Sequence, residues 1–195
     1  MSQTVLTPMF PLTLLPLPGE LVPLHIFESR YKAMLKEAET TDMNFGIYFS
    51  HEINTAKLGS LMKLENILKK YPNGESDIVV KCVDIFNLDT LYRTYRNKPY
   101  PGGNILQWNM SVDQCPGLHL SELFLEFCTL RKMSQRIETV NIFQIANELN
   151  LDFSDRYQFL ISAQEKRERI LINRVKFLIH ALKVELKSRD LYHLN

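Results

Sequence analysis

Five prolines, Pro8, Pro11, Pro16, Pro18 and Pro23, divide an otherwise mostly apolar stretch over residues 5–27. Each lacks the backbone N–H that a helix interior needs, so this stretch cannot form one long helix. That rejects a membrane span. No Lys or Arg precedes Arg30, which counts against a signal peptide, since such a segment opens on basic residues. Short strands and turns remain: an apolar run over 9–15, a turn signal at Pro18-Gly19, and a second apolar piece over 24–27. No later stretch has the length and apolarity to cross a bilayer. The reading is a cytoplasmic protein with no membrane partner.

The glycines make the next division. Six of the seven precede Cys115-Pro116-Gly117 and none follows it. Before that tripeptide the chain reads as strands, with one exception. Over 30–39, Tyr31, Met34, Leu35 and Ala38 recur at helical spacing, with Glu28 and Ser29 placed to cap the helix start. Strands are predicted over 44–49, 59–67, 77–86 and 104–112, with a further one over 90–96; Pro72-Asn73-Gly74 and Pro101-Gly102-Gly103 are predicted turns. Residues 77–86 form the clearest strand, being rich in β-branched side chains. After Gly117 the period is helical over 121–133, 141–149, 153–163 (Ser154 as N-cap) and 164–189. Strands first and helices after, without βαβ alternation, predict an α+β protein, with a β subdomain over 1–115 and a helical subdomain over 116–195.

Residues 10–31 also carry a longer pattern: Phe10-Pro11-Leu12, then Pro18-Gly19, then Pro23-Leu24-His25-Ile26-Phe27-Glu28-Ser29-Arg30-Tyr31. It resembles the opening signature of the Lon protease N-terminal (substrate-binding) domain family. Gly59, Asn73-Gly74 and residues 77–86 fall where that family has its next strand, its hairpin turn and its central strand, and Glu168-Arg169-Ile170 resembles the Glu-Arg-Leu that opens its long helix. Two positions depart: Cys82-Val83-Asp84-Ile85-Phe86 replaces the family's Gly-x-x-Arg-Phe, and Ser162 stands where glutamate is frequent. The resemblance implies a PUA-like antiparallel β-barrel followed by a helical bundle with one long helix, in a stand-alone form without ATPase or protease domains. It implies a role in recognising unfolded or degradation-tagged protein. The motif residues are read as mainly structural. Phe10 belongs to the opening strand, and Pro11, Pro18, Gly19 and Pro23 shape the bulge. Leu24, Ile26 and Phe27 fill the barrel, while Glu28, Arg30 and Tyr31 lock the first helix onto it.

Catalytic patterns are missing. A phosphate-binding loop needs a glycine before its lysine, and no glycine here precedes one. The five histidines form no His-Glu-x-x-His, the three cysteines form no Cys-x-x-Cys, and there is no Gly-x-Ser-x-Gly. No catalytic residue, cofactor or metal is expected, and Cys82, within a strand, reads as a small buried hydrophobe. A net charge of +1 gives no reason to expect nucleic acid.

Two features bear on binding. Tyr92, Arg93, Tyr95, Arg96, Lys98 and Tyr100, with Trp108 beyond them, interleave aromatic and basic residues, as surfaces that grip extended peptides or stack bases do; a charge-guarded strand edge has the same look. Over 164–189, Leu171, Val175, Leu178 and Leu182 form an apolar stripe widened by Ile170, Phe177, Ala181 and Val184. Such width predicts that part of this surface, near Val175, contacts the barrel or stays open as a groove for an apolar peptide, with Arg174 anchoring a carboxylate of a ligand or of the barrel. The same segment holds eight Lys or Arg against three Asp or Glu, the composition of a solvated face or of a surface for an acidic partner. The leading expectation is a non-catalytic receptor for unfolded or extended polypeptide, serving a protease or chaperone in trans. The alternative is an RNA-binding PUA-like protein. The purified protein is expected neither to hydrolyse ATP nor to cleave casein above a buffer control; co-purifying turnover abolished by Cys82→Ala would overturn this.

Overall fold

The computed structural model describes residues 4–110, 114–133 and 140–192, with side chains of the last helix given as far as Ser188. The chain divides after residue 111 into two compact units. The first holds β1 (Val5–Leu12), β2 (Leu21–Ile26), α1 (Ser29–Thr41), β3 (Phe45–Phe49), β4 (Leu58–Lys70), β5 (Ser76–Tyr92) and β6 (Gly102–Gln107). The second holds α2 (Leu118–Leu130), α3 (Ile142–Glu148), α4 (Phe153–Ile161) and α5 (Gln164–Tyr192).

The sheet order is β2-β5-β4-β3-β1-β6, and β6 pairs back onto β5. Five strands thus close into a ring, with β2 added to the outside of β5. The expectation of a wholly antiparallel barrel needs one correction: β1 runs parallel to β3, with Met9 beside Gly46 and Leu12 beside Phe49. Parallel neighbours need a long crossover, and here it contains β2 and α1. Among the described residues α1 is therefore the one helix set between strands.

A ring this small leaves little interior space. Met9, Leu61, Phe86, Leu88 and Ile105 fill it, and glycines on neighbouring strands make the room. A Cβ on Gly59 would lie 2.2 Å from Phe86 Cζ, and one on Gly46 would lie 2.9 Å from the same ring. Gly102 and Gly103, expected in a turn, instead open β6, where Tyr95 and Leu88 occupy their side-chain space. Residues 90–92 continue β5 rather than starting a new strand. The strand predicted over 104–112 ends at Gln107, and residues 111–112 lie outside the described ones.

Polar contacts fix the corners. The buried Asn54 side chain donates to Phe49 O (2.7 Å) and Leu58 O (2.9 Å) and accepts from Leu58 N–H (2.8 Å), closing the β3–β4 connection. Tyr31 is buried on α1 with its ring centroid 4.0 Å from that of Phe10. Glu28 does not cap α1 with its side chain; its carboxylate accepts from Arg30 Nε at 2.8 Å. At the far end of the β4–β5 hairpin, Asp77 joins His25 Nδ1 (2.7 Å) to the Tyr71 hydroxyl (2.6 Å), and Glu75 lies 3.3 Å from His25 Nε2. With a carboxylate at each ring nitrogen, His25 is best matched as imidazolium, which alone donates from both. The Asp77 hydrogen bond chiefly raises its pKa above the ordinary 6.5. Hydrogen bonds from Tyr71 and then His25 lower that of Asp77.

In the helical unit α5 supplies the seam. Leu171, Val175 and Ile179 are buried along it, and flanking polar residues seal the ends of the other helices. Glu168 accepts from Gly117 N–H (3.2 Å) at the start of α2. Arg167 donates to Phe159 O (3.0 Å) and Leu160 O (2.7 Å) near the end of α4. Arg174 donates to Leu149 O (3.3 Å) and Asn150 O (3.2 Å) just past α3. An anion at a helix N-terminus and cations at two C-termini are the signs that the helix dipole favours. α3 starts with a capping box between Asn141 and Gln144. α4 is capped by Asp152, which accepts from Asp155 N–H, and not by Ser154.

Three outcomes follow from this packing. Gly59→Ala should cost about 1–3 kcal/mol in urea denaturation through overpacking, and Phe86→Leu in the same chain should recover part of the loss. Arg174→Met keeps the aliphatic stem but strips the α3 end of its donor, so it should cost about 1–3 kcal/mol; an unchanged midpoint would remove that seal from the account. The His25–Asp77 pair should stabilise the fold at intermediate pH. Its His25 part is complete below pH 6.5 and is lost as pH rises through the elevated folded pKa. Its Asp77 part is complete above 3.8 and is lost as pH falls through the depressed one. In the urea midpoint against pH, His25→Gln should flatten the alkaline decline.

Candidate functional site

Among the described residues β2 pairs with β5 alone, and no strand lies on its other edge. Its even-numbered residues turn inward and the odd-numbered ones outward: Ile26 is buried, whereas Leu21, Pro23 and His25 are exposed. Proline in an edge strand belongs where its missing N–H would have faced solvent. Val79, directly across from Pro23, is half-buried. Phe27, the residue after β2, is 59% exposed and stacks on the His25 ring with centroids 6.1 Å apart. It was expected in the barrel core with Ile26. The strand has ended by then and its side chain lies in solvent, because Tyr31 and Phe10 take the space beneath α1. Leu21 at 55% exposure extends the apolar row. Sequence reading had passed over Leu21; the signal was the Leu21, Pro23, His25 alternation itself.

The remaining signature residues are structural in their placement. Phe10 and Pro18 are buried, Pro11 and Leu24 are half-buried, and Glu28 and Arg30 pair at the surface. Gly19 has φ +84°, a left-handed turn conformation that glycine permits.

The aromatic and basic cluster does not converge on one surface. Tyr95 and Tyr100 are buried, with ring centroids 5.8 Å apart, so they present no ring face to a ligand. The Tyr100 hydroxyl donates to Glu37 of α1 at 2.6 Å, and Lys98 pairs with the same carboxylate at 3.0 Å. These bonds hold Glu37 below the usual carboxylate range, while burial and then Glu37 push the Tyr100 phenol up. Tyr92, Arg93 and Arg96 remain exposed, with the Arg96 guanidinium 5.2 Å from the Tyr95 centroid. Trp108 is half-buried and donates from its indole N–H to Asn87.

Val175 is fully buried and so is core, not a groove wall. Arg174 is committed to the α3 carbonyls, though it borders a pocket of about 310 Å³ inside the helical unit, floored by Phe127, Leu149, Leu178 and Leu182. Cys82 is buried in β5, and burial pushes its thiol far up, which suppresses the nucleophilic thiolate. Among the described residues no group of three or more His, Cys, Asp or Glu is placed to hold a metal. Nor is any described helix long and apolar enough to cross a membrane. Apolar contact along β2 and main-chain pairing at its edge are what this surface can offer.

A family model for the ATP-dependent protease La (LON) substrate-binding domain matches residues 7–181. Among solved structures, the chain is similar to the Lon N-terminal domain protein from Xanthomonas campestris, at 19% identity and a TM-score of 0.62 over 90% of this chain and 98% of that one. It also matches the N-terminal domain of Mycobacterium avium complex Lon protease, at 16% identity and a TM-score of 0.49 over 92% and 98% of the two chains. No curated protein sequence matches. At such identities the structural likeness concerns the fold alone, but the family match runs from β1 into α5, and on that ground the chain belongs to the Lon substrate-binding domain family.

Proposed function

We propose that this protein is a non-catalytic receptor for unfolded or extended polypeptide, and that the β2 face is where it binds. The observation that carries the reading is Phe27. It belongs to the motif that resembles the family signature, yet it is 59% exposed and continues an apolar row with Leu21 and Pro23. Large apolar side chains grouped along one edge strand suit an extended segment, which adds main-chain hydrogen bonds at the open edge and side-chain contacts beside it. Pro23 removes one donor from that edge, so side-chain burial carries more of the affinity than in full strand addition. Membership in a substrate-binding family supports polypeptide as the ligand class. The bound chain would pass to a protease or chaperone acting in trans in the cytoplasm.

The test is fluorescence anisotropy with labelled, reduced and carboxymethylated α-lactalbumin. Burying a large apolar side chain contributes about 1.5–3 kcal/mol, so Phe27→Ser and Leu21→Ser should each weaken binding by roughly tenfold or more. Both residues are exposed, so the urea midpoint should hardly move. Parental affinity in both folded variants would refute the β2 site, and failure of the parent to bind would refute the ligand class.

A further inference from the structure

The outer side of α5 forms a second surface, on the other unit from β2. Lys166, Arg169, Asn173, Lys176, Phe177, His180, Val184 and Lys187 are all exposed, and at about 100° per residue they fall within one stripe about 100° wide along the helix, with Lys176 and Phe177 at its two margins. The row lies opposite the buried seam of Leu171, Val175 and Ile179 and runs for about 32 Å. It contains no acidic residue. Of the acids over 164–188, Glu165 lies just off the row at its N-terminal end, Glu168 accepts from Gly117 N–H, and Glu185 borders the pocket inside the unit. Among the described residues, Lys166, Arg169, Lys176 and Lys187 form no ion pair, whereas Lys183, just off the row, is neutralised by Glu126 at 2.6 Å. Within the row Phe177 is 62% exposed and Val184 54%.

We propose that this row docks an acidic amphipathic helix on a partner protein, with carboxylates facing the four cations and aliphatic residues covering Phe177 and Val184. Charge complementarity selects the partner. A second copy of α5 would set cation against cation. The spacing selects a helix: a repeat near 3.5 residues keeps two helices in register over the whole row, whereas a phosphate backbone curves away from a straight line of charges. An anionic bilayer would need a broad apolar face, and on α5 the broad face is already buried in its own unit. The surface is separate from β2, so it stands or falls independently of polypeptide binding there.

The test uses a fluorescein-labelled 21-residue synthetic helix bearing leucine at alternate three- and four-residue steps with glutamate on either side. Its controls are the same peptide with lysine for every glutamate, a 20-nucleotide polyuridine, and phosphatidylglycerol vesicles. The glutamate peptide should bind the full chain, and raising NaCl from roughly 50 to 300 mM should weaken it severalfold by screening. Lys176→Glu and Phe177→Ser should each weaken it by about tenfold, while Leu21→Ser leaves it unchanged. Circular dichroism checks the fold; should Phe177→Ser perturb it, Lys176→Glu and Arg169→Glu decide. Equal binding of the lysine peptide, parental affinity in the charge reversals, or tighter binding of polyuridine or vesicles would overturn the proposal.

Discussion

Phe86 lies over two glycines on the neighbouring strands, and the architecture of the first unit depends on that fit. Gly59 faces it directly across the β4–β5 ladder, and Gly46 comes from the next strand along. With side chains at both positions the ring would have to widen, and β6 would lose its reach to β5. With glycine at both, one aromatic ring fills the middle of a five-strand closure and Met9, Leu61, Leu88 and Ile105 pack around it. Outside the ring β5 also carries β2, and β2 shows its outer row because its inner residues face the core.

The second unit has a different logic. Its helices are short, apart from α5, and short helices have a large share of unsatisfied terminal groups. α5 answers this with Glu168, Arg167 and Arg174, each set against a helix end of the sign it neutralises. One helix thus divides its circumference into an apolar seam, a polar collar and a solvent face. Charges in the collar act structurally; on the solvent face Lys166, Arg169, Lys176 and Lys187 form no ion pair among the described residues.

Much of this was legible in the chain. The order of elements, the long last helix, the Asn73-Gly74 hairpin and the buried character of Cys82 follow from period, turn chemistry and β-branching. The parallel β1–β3 contact was not legible, because pairing direction depends on where a crossover packs and the β1 run has no local mark of it. The Gly102-Gly103 pair misled for a related reason: glycine signals a turn by its backbone freedom, but here it was needed for the absence of a side chain. The site was only partly readable. Exposure of Phe27 depends on where β2 stops, to within one residue, and pattern does not fix that. Tyr95 and Tyr100 looked like a binding surface because their partner, Glu37, lies far away in sequence. Arg174 was expected to anchor a carboxylate, but its guanidinium donates to the backbone oxygens of Leu149 and Asn150.

β1 is bonded on one side to β3 and on the other to β6, so the earliest strand of the chain is sealed by the latest strand of its unit. On a ribosome, β1 through β5 can emerge and collapse locally, but the ring cannot shut until Gln107 has left the exit tunnel. Until then the edge of β1 over Val5–Pro8, which β6 will pair, stays open to the solvent. High contact order makes closure slow relative to hairpin formation, and an unpaired apolar strand in a partly made chain is a point of misassociation. Pro8 and Pro11 lie in that strand. By withholding backbone donors they make it a poor template for foreign strands during the wait, at little cost to the finished ring.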